Sequence, residues 1–239
     1  MVHLLGNNNE RGSVMVYVTV MYCTFRMSQA SALVGRKIVI HGGWDGDEIY
    51  NDLWIFNTDS FGWMQPRTSG FAPSPRFGHT LNLTKDGRLL VFGGCSIPRD
   101  TRTPRYNDDI RELDTDSMLW SRPRVNGDTP TGRFGHSATL MGADGIDLVV
   151  FGGWGSGGCQ APEAIANPRA RSVHILNTST MTWSAPRRAT KKVLRHLYNH
   201  AAAANDSGDY LYIFGGYDGR QASFDCIYLN VILEPPEDI

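Results

Sequence analysis

Three histidines recur in a repeated sequence context, and recurring imidazoles could in principle bind a metal ion. His79 and His136 each end the tetrapeptide Arg-Phe-Gly-His, and His200 ends the related tetrapeptide Leu-Tyr-Asn-His. Imidazole nitrogens are common zinc ligands. Repetition offers a simpler explanation, because equivalent residues of a structural repeat make the same contacts in each copy. We therefore expect these histidines to satisfy polar groups within and between repeats, and we predict no metal site.

The sequence also lacks the common motifs of enzymes and nucleotide-binding proteins. It contains no Gly-x-Ser-x-Gly, no Walker phosphate loop and no His-Glu-x-x-His, each of which would place a nucleophile, a phosphate cradle or a metal. The glycine-rich stretch 152–159 is not followed by a helix pattern that could present amide groups to a phosphate. We read this stretch as a loop between strands, and we predict no catalytic residue and no cofactor.

The three histidines recur together with two other sequence features, which shows that they belong to a repeat. An apolar run that ends in two glycines occurs at 37–43, 89–95, 148–154 and 211–217. A tryptophan follows each of the first three runs, and Trp63, Trp120 and Trp183 precede the three histidines by 16, 16 and 17 residues. A repeat of roughly 50 to 60 residues with several short strands predicts a propeller-like array.

Each repeat unit divides into four short strands. The first follows the histidine, the second ends at the diglycine, the third is a hydrophobic run such as 53–57, and the fourth carries the tryptophan. Short β-branched and aromatic runs bounded by Gly, Asp, Asn and Pro are typical of strands. No stretch shows a sustained helical period. The sequence therefore predicts an all-β fold in which the three tryptophans are structural and fill equivalent places between units.

The combined pattern resembles the kelch repeats, over about residues 27–230. Kelch units are the blades of β-propellers, so the resemblance implies about four blades of four-stranded antiparallel sheet. It divides the chain into an N-terminal extension (1–26), a propeller (27–231) and a C-terminal tail (232–239). Ala30 takes the place of the expected first histidine, and the strand near Val14–Val20 has no unit of its own. Because the last unit lacks a fourth strand, this N-terminal strand could close the ring, but we favour an open arc.

One branch of kelch proteins, the plant specifiers, suggests an alternative function. That branch holds iron through Glu-x-x-x-Asp-x-x-x-His, and Glu48 and Asp52 have the required spacing. Glu112 and Asp116 repeat it. The third place is Phe56 in one copy and Trp120 in the other, so the imidazole is missing from both. The iron site is therefore not supported. An interaction module is the favoured reading, and the alternative is an enzyme or a metal-dependent specifier-type lyase modifier built on a kelch propeller.

Composition restricts the partners and the compartment. The formal net charge is −1, which does not favour nucleic acid or an anionic membrane as a partner. The apolar stretch 14–23 is too short to span a bilayer and lacks a preceding basic region. The four cysteines lie at non-equivalent positions without metal-ligand spacing, which is typical of a reducing compartment. We expect a cytoplasmic or nuclear protein.

The residues directly after the diglycines are the best candidates for a binding surface. They are Trp44, Cys95, Trp154 and Tyr217. In kelch adaptors the corresponding loops line the mouth that grips a peptide, and exposed aromatic residues suit binding hot spots. The competing reading is that each packs, buried, on the neighbouring unit.

We predict a partner-binding set made of Trp44, Trp154, Tyr217, Arg76 and Arg133, with a protein or peptide as the partner. The two arginines also suit structural hydrogen bonding. The basic run 187–196 reads as a solvated loop that could meet an acidic partner, and Thr190 follows two arginines as in a weak kinase motif.

Overall fold

A computed structural model describes residues 23–155, 173–185 and 197–230 of the chain. The expected strand near Val14–Val20, the whole basic run 187–196 with Thr190 and the predicted C-terminal tail (232–239) lie outside these ranges, as does most of the predicted N-terminal extension (1–26). The described residues form strands and turns, and they contain no α-helix. Accordingly, no helix within these ranges is long and apolar enough to cross a membrane.

Four antiparallel sheets follow one another along the chain as the blades of a β-propeller. Blade 1 is formed by β1 (Ala30–Val34), β2 (Lys37–Trp44), β3 (Ile49–Asn57) and β4 (Trp63–Met64). Blade 2 is formed by β6 (Thr80–Leu83), β7 (Arg88–Phe92), β10 (Ile110–Asp114) and β11 (Leu119–Ser121), and β5 (Ser69–Gly70) pairs in parallel with its outer strand. A short hairpin of β8 (Cys95–Ser96) and β9 (Arg105–Tyr106) extends beyond its diglycine.

Blade 3 repeats this arrangement. Its strands are β14 (Ser137–Met141), β15 (Asp147–Phe151), β17 (Val173–Asn177) and β18 (Thr182–Ser184), with β12 (Asn126–Gly127) added in parallel at the outer edge. β13 (Arg133–Phe134) pairs with β16 (Trp154–Gly155). The described strands of blade 4 are β19 (Ala201–Ala204), β20 (Tyr210–Phe214) and β21 (Cys226–Asn230). The predicted all-β propeller and the diglycine at the end of each second strand are confirmed.

The innermost strands of consecutive blades, β1, β6, β14 and β19, lie side by side around an axis. Each blade is apolar on both faces, because alternate residues of its second strand point toward the preceding and the following blade. Leu89 and Val91 pack against blade 1, whereas Leu90 and Phe92 pack against blade 3. This explains why the runs before the diglycines are continuously hydrophobic.

The turn before each tryptophan is built in the same way in the first three blades. The side-chain oxygens of Asn57, Asp114 and Asn177 accept backbone N–H groups two or three residues further on. This local bonding fixes the turn and sets the register of the fourth strand. Trp120 and Trp183 are buried in the junctions between blades 1 and 2 and between blades 2 and 3. Trp63 is only half-buried, because no earlier blade covers its face within the described residues.

The strand register corrects the position of the first histidine equivalent. Ala30 pairs with His41, Thr80 with Phe92 and Ser137 with Phe151, so Ala30 corresponds to the residue after the repeat histidine. The equivalent of His79 is therefore Gln29, and the assignment to Ala30 was wrong by one residue. The motif Arg-Met-Ser-Gln at 26–29 has diverged too far from Arg-Phe-Gly-His to be aligned by its histidine.

Candidate functional site

Arg76 joins two blades at the diglycine end of the sheets. Its backbone N–H donates to the carbonyl of Tyr50 (3.0 Å), and its own carbonyl accepts from the amide of Gly43 (2.9 Å), both in blade 1. Its guanidinium donates to the carbonyl of Gly93 (2.9 Å) and to both carboxylate oxygens of Asp109 in blade 2. The side chain is 1% exposed. These bonds hold the diglycine turn of one blade to the strands of the next.

Arg133 and Arg26 repeat this arrangement in blades 3 and 1. Arg133 donates to the carbonyl of Gly152 (2.9 Å), and Arg26 donates to that of Gly42 (3.1 Å) and to Asp52. Both side chains are buried. The structure thus gives the candidates Arg76 and Arg133 a structural role with little surface for a partner. Their contact with a partner stays a prediction, and the binding surface proposed below does not include them.

The diglycine is required because the next blade packs directly on it. Gly93 has a φ of 70°, and a Cβ there would lie 2.6 Å from the His136 ring and 2.8 Å from the Arg133 carbonyl. Any side chain would push these groups away. The arginine, the histidine and the diglycine that recur in the sequence are therefore parts of one contact between blades.

His79 and His136 are buried, His200 is half-buried, and each lies within hydrogen-bond distance of a side chain of the preceding blade. His136 Nε2 lies 3.3 Å from Thr80 Oγ1, and His200 Nε2 lies 2.9 Å from Ser137 Oγ. At the first junction the hydroxyl is missing, because Ala30 stands in its place. There His79 Nε2 instead meets His41 Nδ1 at 3.0 Å. Burial, and then the charge of a neighbouring arginine, lowers the pKa of both His41 and His136 to about 3.

The residue after each diglycine pairs with the second residue of the arginine motif. Trp44 bridges to Met27, Cys95 to Phe77 and Tyr217 to Tyr198, while Trp154 pairs with Phe134 in the short sheet of β13 and β16. Each pair is antiparallel and lies where the first strand of a blade begins and its second strand ends. The predicted residues Trp44, Trp154 and Tyr217 therefore occupy one end of the propeller.

Ring contacts connect these residues into a continuous band. The ring centroids of Trp44 and Phe77 are 5.5 Å apart, those of Phe77 and Phe134 are 6.0 Å apart, and those of Phe134 and Tyr198 are 6.1 Å apart. Tyr198 in turn contacts Trp154 at 5.4 Å and Tyr217 at 5.6 Å. We call this band, completed by Tyr106 below, the aromatic collar. Its members are half-buried or exposed: Trp44, Phe77, Tyr106, Phe134, Trp154, Tyr198 and Tyr217.

Blade 2 contributes to the collar in a different way from its neighbours. Cys95 is buried, and burial raises the pKa of its thiol to about 11, so it is a neutral packing residue. Its partner across the β8–β9 hairpin is Tyr106. The ring of Tyr106 stacks on Phe134 with centroids 5.8 Å apart. The hairpin thus supplies the aromatic ring that the position after the diglycine lacks.

Short aspartate turns hold the collar residues of blades 1 and 4. The carboxylate of Asp45 accepts the amides of Asp47 and Glu48, and that of Asp218 accepts the amides of Arg220 and Gln221. The amide of Glu48, the hydroxyl of Tyr50 and the amide of Asp47 lower the pKa of Asp45 to about 2. Carboxylates therefore lie next to the collar rings Trp44 and Tyr217 on both of these blades.

A cavity of about 300 Å³ lies between the innermost strands of all four blades. Its lining is small and mostly polar, and it includes Ser31, Thr80, Asn82, Ser137 and Ala202. Asn82 donates to the carbonyl of Ala138 at 3.0 Å across one side of the cavity. Three of these inner strands, β6, β14 and β19, each begin three residues after a collar residue.

Three of the four carboxylates with specifier-like spacing are engaged in ion pairs. Glu48 pairs with Arg99 at 2.7 Å, Asp52 pairs with Arg26, and Glu112 pairs with Arg88 at 2.9 Å. Over the residues that the structure describes, no three His, Cys, Asp or Glu side chains converge as metal ligands would.

The fold and the collar define a repeat propeller with a continuous aromatic surface at one end. Residues 22–153 match the family described as the KLHDC2/KLHL20/DRC7 Kelch-repeats domain. The chain belongs to the kelch-repeat family.

Curated relatives support the same family. The chain is 33% identical over 198 residues to acyl-CoA-binding domain-containing protein 4 of Arabidopsis thaliana, covering 82% of this chain and 27% of that protein. It is 30% identical to Host cell factor of Drosophila melanogaster (84% of this chain, 14% of that protein). It is 29% identical to Kelch domain-containing protein 3 of Bos taurus (87% and 53%). The chain thus spans about half or less of the length of these relatives.

Sequence reasoning found three of the seven collar residues and missed the other four. Phe77, Phe134 and Tyr198 share the second position of the arginine motif, a repetition that is visible in the sequence. In the sequence alone, this position reads as part of a structural motif. Its exposure depends on its pairing with the residue after the diglycine, which only the structure shows. Tyr106 lies 11 residues beyond Cys95 and gives no such signal.

Proposed function

We propose that this chain is a non-catalytic protein-interaction module that binds a segment of a partner protein on the aromatic collar. The observation that carries the proposal is the continuous contact of rings from all four blades at the end where the loops after the diglycines emerge. Kelch-family membership supports the general role, and the choice of surface comes from the geometry.

The collar has the physical properties of a binding hot spot. Trp and Tyr supply large contact areas and lose few rotamers on binding, so they are enriched where interfaces gain most of their energy. The rings lie next to the buried contacts between blades, so the protein already holds them in place. Little side-chain entropy is therefore lost when a partner binds. Asp45 and Asp218 lie beside the rings and can accept hydrogen bonds from the backbone of a bound segment.

The experiment is a selection of linear peptides from a random display library on the immobilised chain, followed by titration of the selected peptides. Three variants are compared: the parent, the triple variant Trp44→Ala/Trp154→Ala/Tyr217→Ala, and the control Phe61→Ala/Phe71→Ala. Phe61 and Phe71 are 75% and 73% exposed and lie away from the collar. All three should give the same circular dichroism spectrum.

We expect selected peptides to bind the parent and the control equally, and to lose at least about tenfold in affinity with the triple variant, or about 1.4 kcal/mol. Equal binding by the parent and the triple variant would refute the proposed surface. Loss of binding in the control alone would place the site near Phe61 or Phe71, outside the collar. As part of the same proposal, the chain acts in the cytoplasm or nucleus, which imaging of a fluorescent fusion can check.

A further inference from the structure

Two loops flank the first pair of collar rings. Trp44 is followed directly by the turn of blade 1 that includes Glu48. Phe77 exchanges two backbone hydrogen bonds with Cys95, the first residue of the β8–β9 hairpin of blade 2. The rings of Trp44 and Phe77 are stacked, with centroids 5.5 Å apart and planes inclined by 28°. The blade 1 turn and the hairpin therefore begin beside the same two rings.

One exposed ion pair joins these two loops. Arg99 Nη2 of the hairpin lies 2.7 Å from Glu48 Oε1 of the turn, and the two side chains are 91% and 54% exposed. Within the part of the chain that the structure describes, no other hydrogen bond or ion pair connects residues 97–103 with another blade. An ion pair this exposed adds little stability, because water solvates both charges. A bound segment can therefore replace one member of the pair at low cost.

The hairpin is the basic side of this ion pair. Residues 97–105 contain three arginines and one acidic residue. Arg102 and Arg105 are exposed, and neither forms an ion pair within the described ranges. Arg99 donates to Glu48 through one of its two terminal nitrogens, which leaves further N–H donors of the guanidinium available. A second carboxylate can therefore bind Arg99, and the neighbouring arginines attract it.

We infer that Arg99 selects the charge of the bound segment by binding an acidic side chain of the partner in place of Glu48. The rings of Trp44 and Phe77 then contact the residues beside that acidic side chain. This inference rests on the proposed function, because it names the chemistry of the segment that the collar binds. A guanidinium can bind a carboxylate through two parallel hydrogen bonds, which adds geometric specificity. In the free chain, Glu48 is the competitor that occupies Arg99.

The test uses peptides that are selected on the parent and lose affinity with the collar triple variant. They are synthesised with both ends blocked, so that only side chains carry charge. Affinities are measured for Glu48→Gln, which leaves Arg99 available, and for Arg99→Gln, which removes the guanidinium. The matched controls are Asp59→Asn and Arg36→Gln. They break an ion pair of similar exposure at the opposite end of blade 1, with a distance of 2.6 Å and side chains 54% and 78% exposed.

We expect the selected peptides to be enriched in Asp and Glu. Glu48→Gln should raise their affinity by about two- to fivefold, because a competitor of the strength of an exposed ion pair is gone. Arg99→Gln should lower their affinity by about tenfold, because a charged hydrogen bond to the peptide is lost. Both controls should bind as the parent does.

The other outcomes separate this inference from the collar proposal. Collar-dependent peptides that bind both variants as they bind the parent would overturn the inference and leave the collar proposal intact. Tighter binding by both variants would overturn it as well, since the ion pair would then only restrict access to the rings. Tighter binding by Arg99→Gln with weaker binding by Glu48→Gln would overturn it in favour of a basic segment. If no selected peptide depends on the collar, the proposed function is wrong, and this inference is wrong with it.

Discussion

The buried seam between blades and the aromatic collar are built from adjacent residues of the same motif, yet they differ in exposure. In Arg-Phe-Gly-His at 76–79, the arginine and the histidine are buried in the seam, while the phenylalanine between them lies in the collar. The diglycine belongs to the seam, and the residue directly after it reaches the collar in blades 1, 3 and 4. Repetition therefore has two causes in this chain. At buried positions it preserves a junction, and at exposed positions it forms a continuous surface.

The seam should be most sensitive at its large aromatic residues. Trp120→Ala and Trp183→Ala should each lower the free energy of unfolding by about 3 to 5 kcal/mol, because a buried indole leaves a cavity that the rigid strands cannot close. Chemical denaturation measures the change. Trp63→Ala is the internal control, since Trp63 is only half-buried and its removal should cost distinctly less. Equal losses at all three positions would contradict the difference in burial between Trp63 and the other two tryptophans.

Replacement of Arg76, the buried arginine of the seam, should have the next largest effect on stability. Arg76→Ala should cost about 3 kcal/mol, because it leaves a carboxylate and a backbone carbonyl without their buried donor. Burial raises the pKa of Asp109, but the hydrogen bonds and charges of Arg76 and Arg111 together outweigh it, so the net pKa is lowered. Removing Arg76 should raise it. Arg99→Ala, which breaks the exposed pair with Glu48, is the matched control and should change stability by less than about 1 kcal/mol.

Acid should weaken the seam through its histidines. His41 and His136 have pKa values lowered to about 3 in the folded chain, against about 6.5 when unfolded. Between these pH values the unfolded chain therefore binds more protons than the folded chain. The stability that the two neutral histidines contribute is complete above pH 6.5 and is lost as the pH falls toward 3. Each histidine should contribute a slope of up to about 1.4 kcal/mol per pH unit in that window. Denaturation at pH 7.5, 6 and 5 measures it.

The first junction offers a sharper variant of the same experiment. Ala30→Ser with His41→Phe rebuilds the pairing of a hydroxyl, a phenylalanine and the repeat histidine that the third junction contains. The double variant should lose less stability than the parent between pH 7.5 and pH 5, because one buried histidine is gone. His41→Phe alone leaves His79 Nε2 without its partner and should be less stable than the double variant at pH 7.5. An unchanged acid sensitivity in the double variant would show that His41 does not contribute to the loss of stability in acid.

The collar should matter least for stability. Trp44→Ala, Trp154→Ala and Tyr217→Ala should each cost about 1 kcal/mol or less, since these rings are partly in solvent and no blade packs on their outer side. Thermal unfolding measures this. A loss as large as that of Trp120→Ala would mean that the collar is part of the core, and it would weaken its assignment as a binding surface.

Much of the fold could be predicted because it depends on short-range patterns. The diglycines, the tryptophans after Asn or Asp turns, and the apolar runs fixed the strand order and the blade number. The collar was predicted only in part, because exposure depends on which residues pair across the loops. Trp44, Trp154 and Tyr217 each directly follow a diglycine and could be identified. Tyr106 reaches the collar through a hairpin within a variable loop, and Gln29 replaces a histidine whose absence shifted the alignment by one residue.

Site-specific cross-linking is the most direct test of whether a bound peptide contacts the aromatic collar. A photoreactive phenylalanine analogue replaces Trp154 or Tyr217 in the collar, or Phe61 or Phe71 outside it, and each chain is irradiated with a peptide selected on the parent. We expect peptide adducts from the two collar positions and none above background from the other two. Adducts from Phe61 or Phe71, with none from Trp154 and Tyr217, would contradict it.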